Sequence, residues 1–112
     1  MSEEPLCNCQ FPVPLTYNDA TPVKEEKLTR VFAALNRQFG AYTVLGVRQG
    51  VWKGQVENML WFEVAVPEGQ VDQLKRVVRA IGRDLHQEAM YFNKGMPTLE
   101  LIYMDDPPED RS

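Results

Sequence analysis

Arg48, Trp52 and Lys53 place two cations beside an aromatic ring in the middle of the chain. Such a set suits a partner surface or an anionic ligand, because a large ring can anchor a contact and cations attract negative charge. A second interpretation is that Trp52 folds back over the edge of a sheet and closes a minor core, since an exposed Trp is costly unless it is used. Both interpretations stay open.

The glycines near these residues, Gly46, Gly50 and Gly54, do not have the pattern of a phosphate-binding loop. That loop requires a Lys-Ser or Lys-Thr pair followed at once by a helix, whereas a strand is predicted after Lys53. We expect the glycines to produce bends and bulges in a long hairpin, with Arg48–Asn58 as a protruding arm.

Glu63 and His86 are the weak catalytic candidates of the chain. Glu63 is expected on the sheet face opposite the main core, where a buried carboxylate could act as a general base. His86, the only histidine, falls at the end of a predicted helix, where the dipole favours a cation. Neither has a nucleophile fixed beside it in sequence, so whether the protein is an enzyme is left open.

The two cysteines form the segment Cys7-Asn8-Cys9. A structural metal site needs about four ligands, and only His86 could add a nitrogen. We therefore expect two free thiols in a loose N-terminal segment, with no metal and no cofactor. A metal or redox role for the pair is the alternative.

Length and composition are those of one soluble globular domain. The net charge of −4 comes from acidic residues near the ends, and charges nearly balance between Phe11 and Met104. Nucleic-acid binding through bulk charge is therefore not expected. No apolar run is long enough to span a membrane, and Met1–Pro5 lacks the apolar region of a secretory signal, which favours a cytoplasmic location.

Two amphipathic helices are predicted, each with one apolar stripe. The first begins at Thr21 and Pro22, a capping residue and a favoured first helical residue, and ends at Gly40. The second spans Val71–Leu85. The predicted strands are Pro14–Tyr17, Ala41–Val47, Met59–Val66, Glu88–Phe92 and Thr98–Met104.

This order of elements predicts a ferredoxin-like two-layer α+β sandwich, βαββαβ plus an extra C-terminal strand, with both helices on one face of an antiparallel sheet. Pro12 and Pro14 each lack a backbone donor, so the first strand is expected to begin only at about Val13. Residues 1–12 are then an irregular segment, 13–104 the single domain, and 105–112 an acidic disordered tail.

The sheet face away from the helices is expected to be too apolar to remain in water, because it carries Tyr42, Val44, Met59 and Trp61. The chain is therefore interpreted as a binding or interaction module that forms a homodimer through this open face, with a small-molecule ligand as a further option. The expected partner-binding or ligand-binding residues are Tyr42, Arg48, Trp52, Lys53 and Trp61.

The rival interpretation is a small enzyme. Its site would lie between the open face and the arm, here residues 48–58, and would use Glu63 with Tyr42 or His86. A pocket that encloses Glu63 would favour it, and a flat, filled face would argue against it.

Several segments together resemble a group of small uncharacterised bacterial α+β proteins, a domain of unknown function. The resemblance spans Pro14 to Tyr103 and rests on Y-N-D at Tyr17, F-G-A-Y-T-V at Phe39, G-V-W at Gly50 and Q-E-A-M-Y-F at Gln87. It implies no catalytic residues, since no activity is established for that group, and it does not include the two cysteines.

Overall fold

The computed structural model describes residues 4–104. Within them, four strands and two α-helices follow the order β1 (Leu6–Pro14), α1 (Glu25–Phe39), β2 (Thr43–Trp52), β3 (Gln55–Pro67), α2 (Val71–Asp84) and β4 (Pro97–Leu99). All strand pairs are antiparallel, and the order across the sheet is β2-β3-β1-β4. The predicted α+β class and antiparallel sheet are confirmed. The predicted tail lies outside the described residues.

The core forms where both helices cover one face of the sheet. The apolar stripes of α1 and α2 pack in a single cluster with the inward side chains of β1 and β3. At its centre the Phe11 and Phe62 rings stack with centroids 5.6 Å apart. The opposite side of the sheet, called the open face below, carries Met59, Trp61 and Glu63, as the alternation of β3 predicts.

β1 begins at Leu6 and contains both Pro12 and Pro14. The expectation that the first strand begins at about Val13, after an irregular segment, is therefore wrong. β1 pairs with β3 along its whole length and with β4 on its other side, so it runs through the middle of the sheet.

Two hydrogen bonds explain how a central strand tolerates the prolines. Gln10 donates its N–H away from β3, to the carbonyl of Asn93, whereas Leu15 donates to the carbonyl of Asn58 in β3. Backbone groups of successive residues point to opposite sides of a strand, so even-numbered residues of β1, both prolines included, turn their backbone away from β3. The missing donors therefore leave the ladder between β1 and β3 intact.

A bulge in β2 changes which side chains share a face. The register shifts between Val44 and Gly46, and Gly46 has a φ of 111°, in the region that favours glycine. Because of the extra residue, Val44 pairs with Phe62, and Val47 also lies on the helix-covered side. The bulge thus carries the apolar residues of β2 away from the open face.

The predicted apolar open face is therefore wrong in part. Met59 and Trp61 lie on it, but Val44 lies on the other side. Tyr42 belongs to the core, where its ring centroid is 5.8 Å from that of Phe32 in α1. Two of the four residues of the proposed dimer surface therefore lie on the other side of the sheet, Tyr42 packed against the core and Val44 partly exposed.

The predicted strand Glu88–Phe92 is wrong, and the predicted strand Thr98–Met104 is present only in its first residues, as β4 (Pro97–Leu99). The chain between α2 and β4 is irregular and forms one isolated bridge to β1, between Gln10 and Asn93. The prolines of β1 offer no donors on this side, so no ladder forms there. β4 ends at Leu99, which pairs with the first residue of β1, so the strand has no further β1 residue beside it.

Helix α1 begins at Glu25 rather than after Thr21. The Asp19 carboxylate accepts hydrogen bonds from the N–H and the hydroxyl of Thr21, at 3.0 and 2.6 Å. A bridge between Thr16 and Pro22 then holds this stretch extended. No helix in the described part of the chain has the length and apolarity to cross a membrane.

Candidate functional site

The tip of the β2–β3 hairpin is a two-residue turn at Lys53 and Gly54. Both residues have positive φ, 50° and 78°, as a type I′ turn requires, and this turn matches the twist of the paired strands. The predicted arm at Arg48–Asn58 is therefore a regular continuation of the hairpin, with β2 running to Trp52 and β3 starting at Gln55.

The hairpin tip folds back onto the chain that follows α2. The Trp52 ring meets Tyr91 edge to face with centroids 6.0 Å apart. Beside it, the Lys53 ammonium lies 3.1 Å from a carboxylate oxygen of Glu88. Trp52 thus contacts its own subunit, which supports the interpretation that it closes a minor core.

A cavity of about 130 Å³ lies beneath this contact. Its walls are mostly apolar, and a few polar groups converge on it, as is typical of ligand sites. The apolar lining consists of Pro12, Pro14, Trp52, Met59, Ala89, Met90 and Tyr91, and the polar lining of Asn18, Glu57, Gln87 and Glu88.

Close packing against α2 positions one wall of the cavity. A Cβ on Gly82 would come within 2.8 Å of Met90 Cγ, so the absent side chain makes room for Met90. Just before this wall, His86 has a φ of 56° and Gln87 donates its N–H to the carbonyl of Gly82. This hydrogen bond ends α2 in a Schellman-type turn and directs the chain towards the hairpin tip.

The electrostatics of the cavity are acidic. Its lining includes the carboxylates of Glu57 and Glu88 and no Lys, Arg or His. Glu88 is paired with Lys53, whose ammonium also lies 5.6 Å from the centroid of the Trp52 ring. Among the described residues Glu57 takes part in no ion pair, and it faces Gly50 across the hairpin.

The remaining predicted ligand-binding or partner-binding residues lie elsewhere. Arg48 stacks over Trp61 on the open face, with its guanidinium carbon 5.7 Å from the ring centroid. Neither residue lines the cavity, and Tyr42 is in the core. Of that predicted set, Trp52 and Lys53 are therefore the two that meet at the hairpin tip.

The residues of the predicted enzyme site are not brought together. Glu63 accepts a hydrogen bond of 2.9 Å from the side-chain amide of Gln10 on the open face, outside the cavity. His86 lies beside Tyr17 instead, with ring centroids 6.1 Å apart. Nothing in this arrangement joins Glu63 to His86 as an acid–base pair.

Cys7 and Cys9 are fully buried free thiols in β1, on the side that faces the helices. The expectation of a loose segment is wrong, because both side chains are part of the core. Burial raises the pKa of the Cys9 thiol, which keeps the group neutral and unreactive. Within residues 4–104, no group of three or more His, Cys, Asp or Glu is arranged to hold a metal ion.

The sequence interpretation missed Glu57, Glu88 and Tyr91 as members of a site. Two of them lie in the Q-E-A-M-Y-F segment, which was interpreted as a strand, and Glu57 reads as an ordinary surface carboxylate. Comparisons of the chain with protein-family models, curated proteins and solved structures found no match. Function is therefore inferred from the cavity itself.

Proposed function

We propose that the protein is a binding module for a small molecule that enters the cavity beneath the hairpin tip. The observation that carries the proposal is a cavity whose wall includes Trp52 and Tyr91, two rings that meet edge to face with centroids 6.0 Å apart. Apolar walls with a few convergent polar groups are typical of ligand sites, and a volume of about 130 Å³ suits a ligand smaller than a drug molecule.

A nuclear magnetic resonance titration with three probes tests this function: phenethylammonium, 2-phenylethanol and phenylacetate. Binding is followed from the probe's own proton signals. We expect at least one probe to bind saturably to the parent protein, and Trp52→Leu to weaken that binding about tenfold, because it removes a wall of the cavity.

Trp61→Leu is the matched control, because Trp61 is the second tryptophan and lies outside the cavity. It should leave binding unchanged. Absence of saturable binding by all three probes, or equal losses in the two variants, would contradict the proposal.

Self-association as a homodimer is a second candidate function, favoured by a row of exposed valines. Val44, Val47, Val51 and Val56 lie on the same side of the sheet as the helices, but they are 44%, 58%, 66% and 61% exposed, so the helices leave this part of the hairpin uncovered. Val56 belongs to β3 and the other three to β2, an edge strand whose outer backbone groups have no strand partner among residues 4–104. Edges of monomeric proteins are usually protected by charge or proline, and the single charge of β2, Arg48, lies on the opposite face.

The surface proposed for the dimer is therefore the β2 edge rather than the open face. Two copies can pair β2 with β2 antiparallel about a two-fold axis, which joins their valine rows. Light scattering at rising micromolar concentration should then give twice the subunit mass. A mass that stays monomeric would refute the dimer.

Three variants separate the two surfaces. Val51→Lys should dissociate the dimer, because it places a charge in the valine row. Gln73→Lys, the same added charge on α2, should leave it intact. Trp61→Glu places a charge on the open face and should also leave the dimer intact. If this variant dissociates the dimer, the interface is the open face and not the β2 edge.

Further features form part of the same proposal. The strand order β2-β3-β1-β4, with the helices on one face, supports a ferredoxin-like sandwich. The two free thiols are compatible with a reducing, cytoplasmic compartment. The resemblance to uncharacterised bacterial proteins stays a prediction. The alternative of an enzyme that uses Glu63 has less support, because Glu63 does not line the cavity.

A further inference from the structure

We infer that the ligand of this cavity is a small amphipathic amine, whose ammonium group takes the place that the Lys53 ammonium occupies between Trp52 and Glu88. The inference rests on the proposed binding function and specifies its ligand class.

The charges of the lining select a cation. Glu57 and Glu88 are the acidic side chains that line the cavity, and no Lys, Arg or His is among the lining residues. An anion would be repelled by Glu57, which has no ion-pair partner among the described residues, whereas an ammonium would be attracted by Glu57 and, once it replaces the Lys53 ammonium, by Glu88. We therefore expect a cationic ligand. The sequence suggested an anionic ligand for Arg48 and Lys53, but Arg48 lies on the open face and does not line the cavity.

The Lys53 side chain marks where such a cation would bind. Its ammonium lies 5.6 Å from the Trp52 ring centroid and bonds to both oxygens of Glu88, at 3.2 and 3.1 Å. An aromatic ring with an adjacent carboxylate is a general means of binding ammonium groups. The Lys53 side chain is 65% exposed, and exposed ion pairs contribute little, so a ligand could displace it at small cost.

The size and polarity of the walls define the rest of the ligand. A dry cavity of about 150 Å³ can hold a molecule of benzene size. The present volume of about 130 Å³, between Pro12, Met59 and Met90, therefore suits one ring or a short alkyl chain. A primary amine that carries one such group combines both requirements.

The three probes of the binding titration test this assignment, because they share a phenyl ring and a similar length and differ in charge. We expect phenethylammonium to bind about tenfold more tightly than 2-phenylethanol, a fold-change in the range of a partly desolvated cation–aromatic contact with an ion pair. Phenylacetate should bind most weakly. The preference for the ammonium should decline as salt is added.

Variants of the charged residues give a second measurement. Glu88→Gln should remove most of the preference for phenethylammonium while 2-phenylethanol binds as before. Lys53→Met should strengthen phenethylammonium binding severalfold, because it removes the competing cation. Lys94→Met is the matched control, since Lys94 forms an equivalent 3.1 Å pair with Glu68 outside the cavity, and it should change nothing.

The outcomes distinguish the inference from the proposed function. If 2-phenylethanol or phenylacetate binds as tightly as phenethylammonium, the amine assignment is overturned and the binding function stands. If no probe binds, both are overturned. If Lys53→Met weakens phenethylammonium binding, Lys53 is part of the site rather than a competitor, and the displacement is wrong.

Discussion

Gly95 lets the chain after α2 approach β1 more closely than any residue with a side chain could. A Cβ at this position would lie 2.5 Å from the carbonyl oxygen and 3.0 Å from the nitrogen of Asn8, and backbone atoms cannot move aside easily. The close contact between Gly95 and Asn8 holds the chain after α2 against β1, a few residues beyond the part of that chain that lines the cavity.

Gly95→Ala should therefore destabilise the fold by about 1–3 kcal/mol, because it forces the chain away from β1. The free energy of unfolding from urea denaturation measures this. Gly69→Ala is the control, since a Cβ there meets nothing within 4 Å. Equal stabilities of the two variants would mean that the Asn8 contact adjusts without cost.

Cys9 should make the free energy of unfolding decrease as the pH rises in the alkaline range. Burial raises the pKa of its thiol above the ordinary value of 9.0, so in the folded state the thiol stays neutral where the unfolded chain ionises. The contribution of Cys9 to stability is thus fully present below about pH 9.0 and is lost as pH rises through the folded-state pKa.

Thermal melting between pH 8 and pH 11 checks this prediction. The melting temperature of the parent should fall at the alkaline end, and Cys9→Ala should show a flatter dependence from a lower starting value, since it also removes buried volume. Parallel curves for the two proteins would assign the alkaline loss to other groups.

At the scale of elements, the hairpin depends on Gly46 for its curvature. Its φ of 111° is strained for any residue with a side chain, and bulges of this kind bend the strand that contains them. Gly46→Ala should cost about 1–3 kcal/mol of unfolding free energy. Gly50→Ala, whose Cβ would meet only the flexible end of Met59, should cost less. The reverse order would show that the bulge is not strained.

The hairpin tip is held by contacts within its own subunit, at Tyr91 and Glu88. Trp52→Ala removes the contact with Tyr91 and should lower the unfolding free energy by about 2 kcal/mol while leaving the oligomeric state unchanged. Gln55→Ala, at the exposed position paired with Trp52, is the control. Weaker association without loss of melting temperature would instead make Trp52 a partner anchor.

Local patterns in the sequence were sufficient to predict some elements. The two faces of β3 follow from alternation, and α2 from its apolar period, because both signals lie within the element. The strand at Pro12 and Pro14 could not be predicted, since the tolerance of a proline depends on which side its partner strand lies. The same holds for Val44, whose face is set by a bulge.

The candidate site was predictable only at Trp52 and Lys53. Their residue types and their place between glycines marked them as unusual. Glu57 and Glu88 gave no such signal, because an isolated glutamate is ordinary on a surface. They come together only in the folded structure, where the hairpin tip contacts the chain after α2, and no local sequence pattern records that contact.

At the scale of the whole molecule, the cavity joins parts of the chain that are distant in sequence: β1, the hairpin tip and the segment after α2. A ligand that binds there should therefore stabilise the complete fold. Phenethylammonium at about ten times its Kd should add about 1.4 kcal/mol and raise the melting temperature by a few degrees. At the same ligand concentration Trp52→Leu, which binds about tenfold more weakly, should gain only about 0.4 kcal/mol. A probe that binds without raising the melting temperature would bind the unfolded chain equally well.

The prolines of β1 also limit how copies of this protein could polymerise. Pro12 and Pro14 remove donors along one border of the sheet, and β4 on that border is three residues long and starts with Pro97. Within residues 4–104, β2 alone offers a long row of backbone donors and acceptors to another chain. A subunit with one unprotected sheet edge can pair in this way with only one other subunit. If two copies pair across β2, the assembly should therefore stop at the dimer, because a fibre needs two pairing edges in each folded subunit.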